Sequence, residues 1–251
     1  LEMGKIENKK DQKFLLINGN FFGIQDFIFT GYGDSRKYRS KLLRGRSFYV
    51  SLLTEIAADM LAGAVGLPSI SIILNAAGRF TLLSPNTETA LAALNRTQTE
   101  MNDWLVKISM GEVSMGFSSV TACYNDFIGG RFMDLWEEMG KRGEVPKFQK
   151  IDLQRHGGVI GDYLDRFDNR LPHALCPLCG KRPAEKGTEK SLPGVDAQPV
   201  CSVCRDHVFI GSSLVKKGRI IVVEADSISH EIRDALLKPL FGRRQILFPS
   251  D

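Results

Sequence analysis

Apolar residues change their spacing several times along this chain, and each change predicts an element. Residues 13–22, KFLLINGNFF, form a short apolar run, the pattern of a buried strand. From Phe48 to Val65, Tyr49, Leu52, Leu53, Ile56, Ala57, Met60, Leu61 and Ala64 recur at steps of three and four. That spacing predicts a helix with one buried face, stopped by Gly66, Leu67 and Pro68. SISIILNAA and RFTLLSP follow as two β-rich runs around Ala77-Gly78, and a glycine there supplies the positive φ that a tight hairpin needs. Asn86 is placed to cap a second helix with Glu88 in its first turn, and Leu91, Leu94, Met101, Leu105 and Ile108 mark a buried stripe that ends at Gly111. VSMGFSSVTACY completes the series as a strand.

Strand, helix, hairpin, helix, strand is the βαββαβ order of a ferredoxin-like unit, so the expected class is α+β, with a palm-type domain over residues 1–123. Nucleotide-polymerising palms share that fold with many unrelated proteins, and it assigns no chemistry by itself. Residues 124–170 are charged, with helical segments around Phe132–Met139 and Gly161–Phe167, and are expected to be a connector. Residues 171–251 hold a small four-cysteine module with mixed α/β flanks: RIIVVEA as a strand, HEIRDALLKPL as a helix and QILF as a final strand.

With 43% hydrophobic and 25% charged residues the chain can bury a real core, so disorder is not the expectation. The net charge of +4 permits a nucleic-acid partner without requiring one. No run of eighteen apolar residues occurs and the polar start lacks an apolar signal region, so the expectation is a cytoplasmic protein with no membrane partner. Five cysteines are present, four of them in two C-x-x-C pairs. In a reducing compartment that pattern points to metal rather than to disulfides. Cys123, in an apolar stretch, is expected to be a buried small hydrophobe.

Cys176-Pro-Leu-Cys179-Gly and Cys201-Ser-Val-Cys204 stand 21 residues apart, close to the spacing of tetrahedral zinc sites. Four thiolates close the coordination shell, leaving no position for water, so the zinc is expected to be structural. His173 and His207 lie three residues from a cysteine and are the alternative ligands. Arg36, Lys37, Arg39, Lys41, Arg44 and Arg46 place six cations in eleven residues ahead of the predicted helix, either a solvated face or a phosphate-binding one. Gly45 between two arginines would let a ligand approach backbone at a helix start. In a palm, metal-holding acids belong at the end of the first strand and on the central hairpin. Here those places read Asn20 and Asn75-Ala-Ala-Gly-Arg79, with no acid, and Asp26 nearby is expected to be a solvated carboxylate. No catalytic residue is assigned.

The runs GNFFGIQDFIF, KLLRGRSFYVSLL and NAAGRFTLLSPN, then CPLCG with CSVC, resemble the large subunit of type III-A (Csm-type) CRISPR effector complexes from about Phe14 to Phe248. The resemblance implies a full subunit with an HD single-stranded DNA nuclease domain, a first palm, a zinc-bearing linker domain, a second palm with a GGDD motif and a helical C-terminal domain. It places this chain after the nuclease and before the second palm. It further implies an antiviral complex with other Csm subunits, CRISPR RNA and target RNA, in which the second palm's acids, with Mg²⁺, make cyclic oligoadenylates from ATP held between the two palms. On that resemblance Gly23, Gln25, Arg44, Gly45, Arg46 and Ser47 are carried over as nucleotide-facing or palm-packing residues. Where many members read GDISGIQ, this chain reads GNFFGIQ: Asn20 replaces an acid and Phe22 a small hydroxyl residue. The fragment is therefore expected to be inactive alone. The alternatives are a free-standing zinc-containing RNA-binding protein and a nucleotidyl cyclase of the GGDEF type, the latter disfavoured by the missing acids.

Overall fold

The computed structural model describes residues 8–29, 31, 38–76, 78–155, 174–188, 199–224, 236–237 and 244–249. Its elements are β1 (Phe14–Phe22), α1 (Ile24–Phe29), α2 (Arg39–Val65), β2 (Ile72–Ala76), β3 (Arg79–Pro85), α3 (Glu88–Ser109), β4 (Ser114–Ala122), α4 (Arg131–Glu144), α5 (Ser202–Ser213), β5 (Ile221–Glu224) and β6 (Arg244–Leu247). Four strands form an antiparallel sheet in the order β2-β3-β1-β4, and β5 pairs with β6. That order, with β1 between β3 and β4, is the ferredoxin-like arrangement read from the sequence. Ala77, Gly161–Phe167 and most of HEIRDALLKPL lie outside the described residues.

The chain divides into two compact units that are not consecutive in sequence. One comprises Leu1–Phe22, Ser51–Asn102 and Ser114–Lys150; the other comprises Gly23–Val50, Asp103–Val113 and Ile151–Asp251. These units cut across linear boundaries drawn at 123 and 170, because α2 and α3 each contribute residues to both.

In the sheet unit, β1 alternates its faces. Leu15, Ile17 and Phe21 point one way and are buried. Leu16 points the other way and packs with Val120 and Ala122 of β4 and with Leu135 and Met139 of α4. The segment around Phe132–Met139 is thus helical as expected, and it covers that face of the sheet. Gly19 lies under the Phe80 ring, where a Cβ would collide with it. At β4, α3 supplies polar side chains to backbone: Gln98 accepts from Phe117 N at 2.9 Å, and Asn102 both accepts from Met115 N and donates to Met115 O at 2.8 Å. Edge groups that no strand pairs are thereby satisfied by α3.

Three local expectations are corrected. Helix α2 begins at Arg39 rather than Phe48, so the cationic run from Arg39 onward lies within the helix; buried Tyr38 and Leu42 continue the apolar spacing backwards from Tyr49. Thr87, not Asn86, caps α3: its Oγ1 accepts from Ala90 N at 3.2 Å, while Asn86 is tied to Gln12 O and Lys13 O. Leu91 faces outward, and Ala90, Ala93, Thr97 and Trp104 take the buried stripe with Leu94, Met101, Leu105 and Ile108. Cys123 is buried, as expected. By length and composition α2 is apolar enough to cross a membrane, but most of that stretch is buried within the protein, as in a core helix.

Candidate metal centre and strand-end site

In the second unit the two C-x-x-C segments are held by different local structures. Residues 174–184 form a tight hairpin: Leu175 bridges Pro183, Cys176 N donates to Arg182 O at 2.8 Å, and Gly180 N donates to Cys176 O at 2.8 Å. Gly180 sits at φ 65°, the left-handed conformation this turn needs and glycine adopts without strain. The second pair starts a helix. Cys201 is the N-cap of α5, with its Sγ accepting from Cys204 N at 3.4 Å.

The four sulfurs converge within 4.8 Å of one another, and Cys179 and Cys201 Sγ are 3.9 Å apart. Zinc–sulfur bonds of about 2.3 Å in a tetrahedron require sulfurs roughly 3.8 Å apart, so the set fits a four-thiolate metal centre. All four cysteines are buried, and none is in a disulfide. Crowding splits their protonation. Hydrogen bonds from Cys176, Cys201 and Cys204 pull Cys179 far below the usual thiol range. Cys176 is lowered to about 7; its bond with Cys179 opposes the shift, and those with Cys201 and Cys204 drive it. Cys201 and Cys204 are raised well above the ordinary value, chiefly by hydrogen bonds to the first pair, with burial adding to both. Four adjacent thiols cannot all ionise without a cation among them.

His207 is not part of the cluster among the described residues, and His173 lies outside them. The His207 ring is fully enclosed, edge-on to Phe27 and Tyr49 at 5.3 and 5.7 Å. Burial, then Arg46 and Arg182, hold its imidazole well below the ordinary range, and neither ring nitrogen has a hydrogen-bond partner. A small cavity beside the centre is lined by Cys179, His207, Arg46, Arg182, Lys181 and Glu112, among others. Lys181 and Glu112 form an ion pair, and Arg182 Nε donates to Ile108 O at 2.8 Å.

The residues carried over as nucleotide-facing fall into two groups. Gly45 and Arg46 are buried. A Cβ on Gly45 would overlap His207 O, and one on Gly211 would overlap Lys41 O, so α2 and α5 cross with their backbones in direct contact. Gly45 therefore admits a helix rather than a ligand, and it lies inside α2, not at its start. Arg46 Nη1 donates to Ile28 O at 3.2 Å, and Arg44 Nη1 to Gly211 O at 2.8 Å. Gly23, at φ 83°, opens α1 where a Cβ would strike Glu112 O. Gln25, Arg44 and Ser47 have exposed side chains, while Arg36 and Lys37 lie outside the described residues. Sequence spacing did not single out Arg182, Glu112 or Gly211; the only signal was the pair of small residues Gly45 and Gly211, which spacing cannot bring together.

In the sheet unit the strand-end position is closed. Asn20, opposite Arg79 in the β1–β3 ladder, is 7% exposed. Its Oδ1 accepts from Arg79 Nε at 3.0 Å and its Nδ2 donates to Gly143 O of α4 at 3.4 Å. A guanidinium thus stands at the strand-end position, and a helix end covers it. Asn18 Oδ1, Thr81 Oγ1 and Ser118 Oγ on the same face have no hydrogen-bond partner.

Residues 13–156 match the family model described as Csm1 subunit domain B. A CRISPR system single-strand-specific deoxyribonuclease Cas10/Csm1 (subtype III-A) from Thermococcus onnurineus is 30% identical over 208 residues, covering 83% of this chain and 26% of that protein. Its counterpart from Mycobacterium tuberculosis is 26% identical over 237 residues, covering 86% and 27%. Among solved structures, an apo Csm1-Csm4 cassette aligns at TM-score 0.53 and 26% identity over 67% of this chain and 23% of that one. A cassette in complex with cA4 aligns at 0.51 and 26% over 58% and 20%. The chain spans about a quarter of the length of the curated relatives it matches.

Proposed function

The chain belongs to the Csm1 family, the large subunit of type III-A CRISPR systems, and on that premise we propose that it is a catalytically silent palm with a structural zinc centre. It shapes a nucleotide-binding surface for a second, acid-bearing palm and scaffolds the antiviral ribonucleoprotein. The carrying observation is Asn20: a buried amide, satisfied by Arg79 and Gly143 O, where ion-holding carboxylates would be needed. Two-metal nucleotidyl transfer cannot run on an amide paired with a guanidinium.

Support for a nucleotide role comes from the relatives, whose cassettes have been solved with one ATP and with cA3 and cA4. On this chain the residues left to face a nucleotide are Gln25, Ser47 and the outer part of Arg44, since Gly45 and Arg46 are enclosed by the second unit. Mg²⁺ and the reacting ATP would be held by the partner palm. Csm4 is the expected neighbouring subunit, CRISPR RNA and target RNA complete the assembly, and the cytoplasm is its compartment. The four cysteines would hold Zn²⁺, which supplies a fixed tetrahedral crosslink and no reaction. A free-standing RNA-binding role through residues 36–46 is weakened because Arg46 is buried.

The test is incubation of the purified chain with ATP and Mg²⁺, alone and with the GGDD-bearing palm of the same subunit. The expected result is no linked adenylate from the chain alone and synthesis when the second palm is supplied. Oligoadenylate made by the chain unaided would refute the proposal.

A further inference from the structure

A divalent cation bound by four thiolates leaves two net negative charges, and in this protein they are enclosed: the four cysteines are no more than 4% exposed. Charge removed from water must be matched nearby or it weakens the site that holds it. The cavity beside Cys179 shows what matches it. Lys181 is paired with Glu112, so these two cancel. Asp26, Arg46 and Arg182 line the same cavity, the first two bringing opposite charges, and the Arg182 guanidinium is anchored by a backbone carbonyl, a neutral acceptor: its Nε donates to Ile108 O at 2.8 Å. Arg182 is also fixed through its backbone, because its carbonyl accepts from Cys176 N at 2.8 Å across the hairpin that carries the first pair.

We propose that Arg182 is the charge-balancing positioning residue of the four-cysteine centre and sets how tightly the centre holds its metal. This rests on the reading of the four cysteines as a metal site. Arg46, carried over by resemblance as a nucleotide-facing residue, is buried against the same cavity. A guanidinium suits that role because it stays charged when buried and keeps donors for the carbonyls that hold it. Glu112 has the opposite effect, since it cancels the Lys181 cation, which would otherwise stand beside the thiolates.

The experiment uses the whole chain loaded with zinc, titrated with a chromophoric chelator, and a cobalt-substituted sample whose thiolate-to-metal absorption reports the ligand set. Arg182→Gln is expected to weaken metal binding roughly 10- to 100-fold with the four-thiolate absorption unchanged, as loss of an outer partner does, whereas Arg182→Lys stays within about 3-fold of wild type. Glu112→Gln is expected to tighten binding about 2- to 5-fold by removing a neighbouring anion. A purely structural role predicts the reverse for Glu112→Gln, because breaking its pair with Lys181 would loosen the hairpin. The Glu112 variant decides by sign even if Arg182→Gln fails to fold. An Arg182→Gln chain that holds zinc within about 2-fold of wild type, or a Glu112→Gln chain that holds it no tighter, would overturn the proposal. A wild-type chain that binds no zinc would overturn both it and the metal-site reading.

Discussion

The sheet unit and the cysteine unit bury different kinds of side chain. In the first, the least exposed groups are mostly apolar, among them Leu15, Ile17, Phe80, Leu82 and Met115 on paired strands, with the hydroxyls of Thr54 and Thr81 the polar exceptions. In the second they include four thiols, Asp206, His207 and Arg46, with backbone packed on backbone at Gly45 and Gly211. Apolar area removed from water holds the first together without help. Buried thiols and charges hold nothing until a cation joins them, so the second unit is expected to depend on its metal. Asp206 shows the same tension: burial raises its pKa against the pull of Arg205 and of the Leu237 and Leu236 amides.

The strongest way to break this contrast is to remove two ligands. Cys176→Ser with Cys201→Ser should reduce zinc from one ion per chain to none by elemental analysis, and it should remove up to about 10 kcal/mol of metal-linked stability from the cysteine unit. Near-ultraviolet circular dichroism should show the sheet unit still folded. Equal melting of both units would erase the distinction. Next in size are Gly45→Ala and Gly211→Ala, in which a methyl meets a carbonyl oxygen of the neighbouring helix. Each should cost about 3 kcal/mol in denaturant unfolding of that unit. A cost below about 0.5 kcal/mol would mean that α2 and α5 do not interlock as described.

Asn20→Asp probes the sheet unit. The new carboxylate would face Gly143 O yet pair with Arg79, so a net loss of about 1–2 kcal/mol is expected. No adenylate synthesis should appear in a radiolabelled-ATP assay, since one acid under a helix cannot hold two ions. Thr87→Ala should be mildest, about 1 kcal/mol from the lost cap of α3, whereas Asn86→Ala should leave the helix start intact and act through its tie to Gln12 O.

The fold of the sheet unit was legible because alternation and helical spacing are local properties: β1, the hairpin, α3 and β4 lie close to where the apolar pattern placed them. Its cap was misplaced by one residue because Asn86 and Thr87 are both capable caps, and the choice was made by a distant carbonyl. The cysteine spacing likewise announced the centre, since four ligands in two short turns carry their own geometry. What surrounds the centre was not legible. Arg46 reads as part of a cationic run, and only the crossing of α2 with α5 at two glycines turns it inward. The covering of Asn20 was equally hidden, because Gly143 lies 123 positions away and looks like an ordinary helix residue.

Hydrogen exchange on the whole chain, with zinc bound and after chelation, most directly tests the claim that one unit folds on its apolar core and the other on its metal. Chelation should strip protection from residues 24–29, 39–50, 174–188 and 202–213 together and leave β1, β3 and β4 as slow as before. Unchanged exchange at 202–213 after the metal is gone, or a collapse that spreads equally through the sheet, would contradict it.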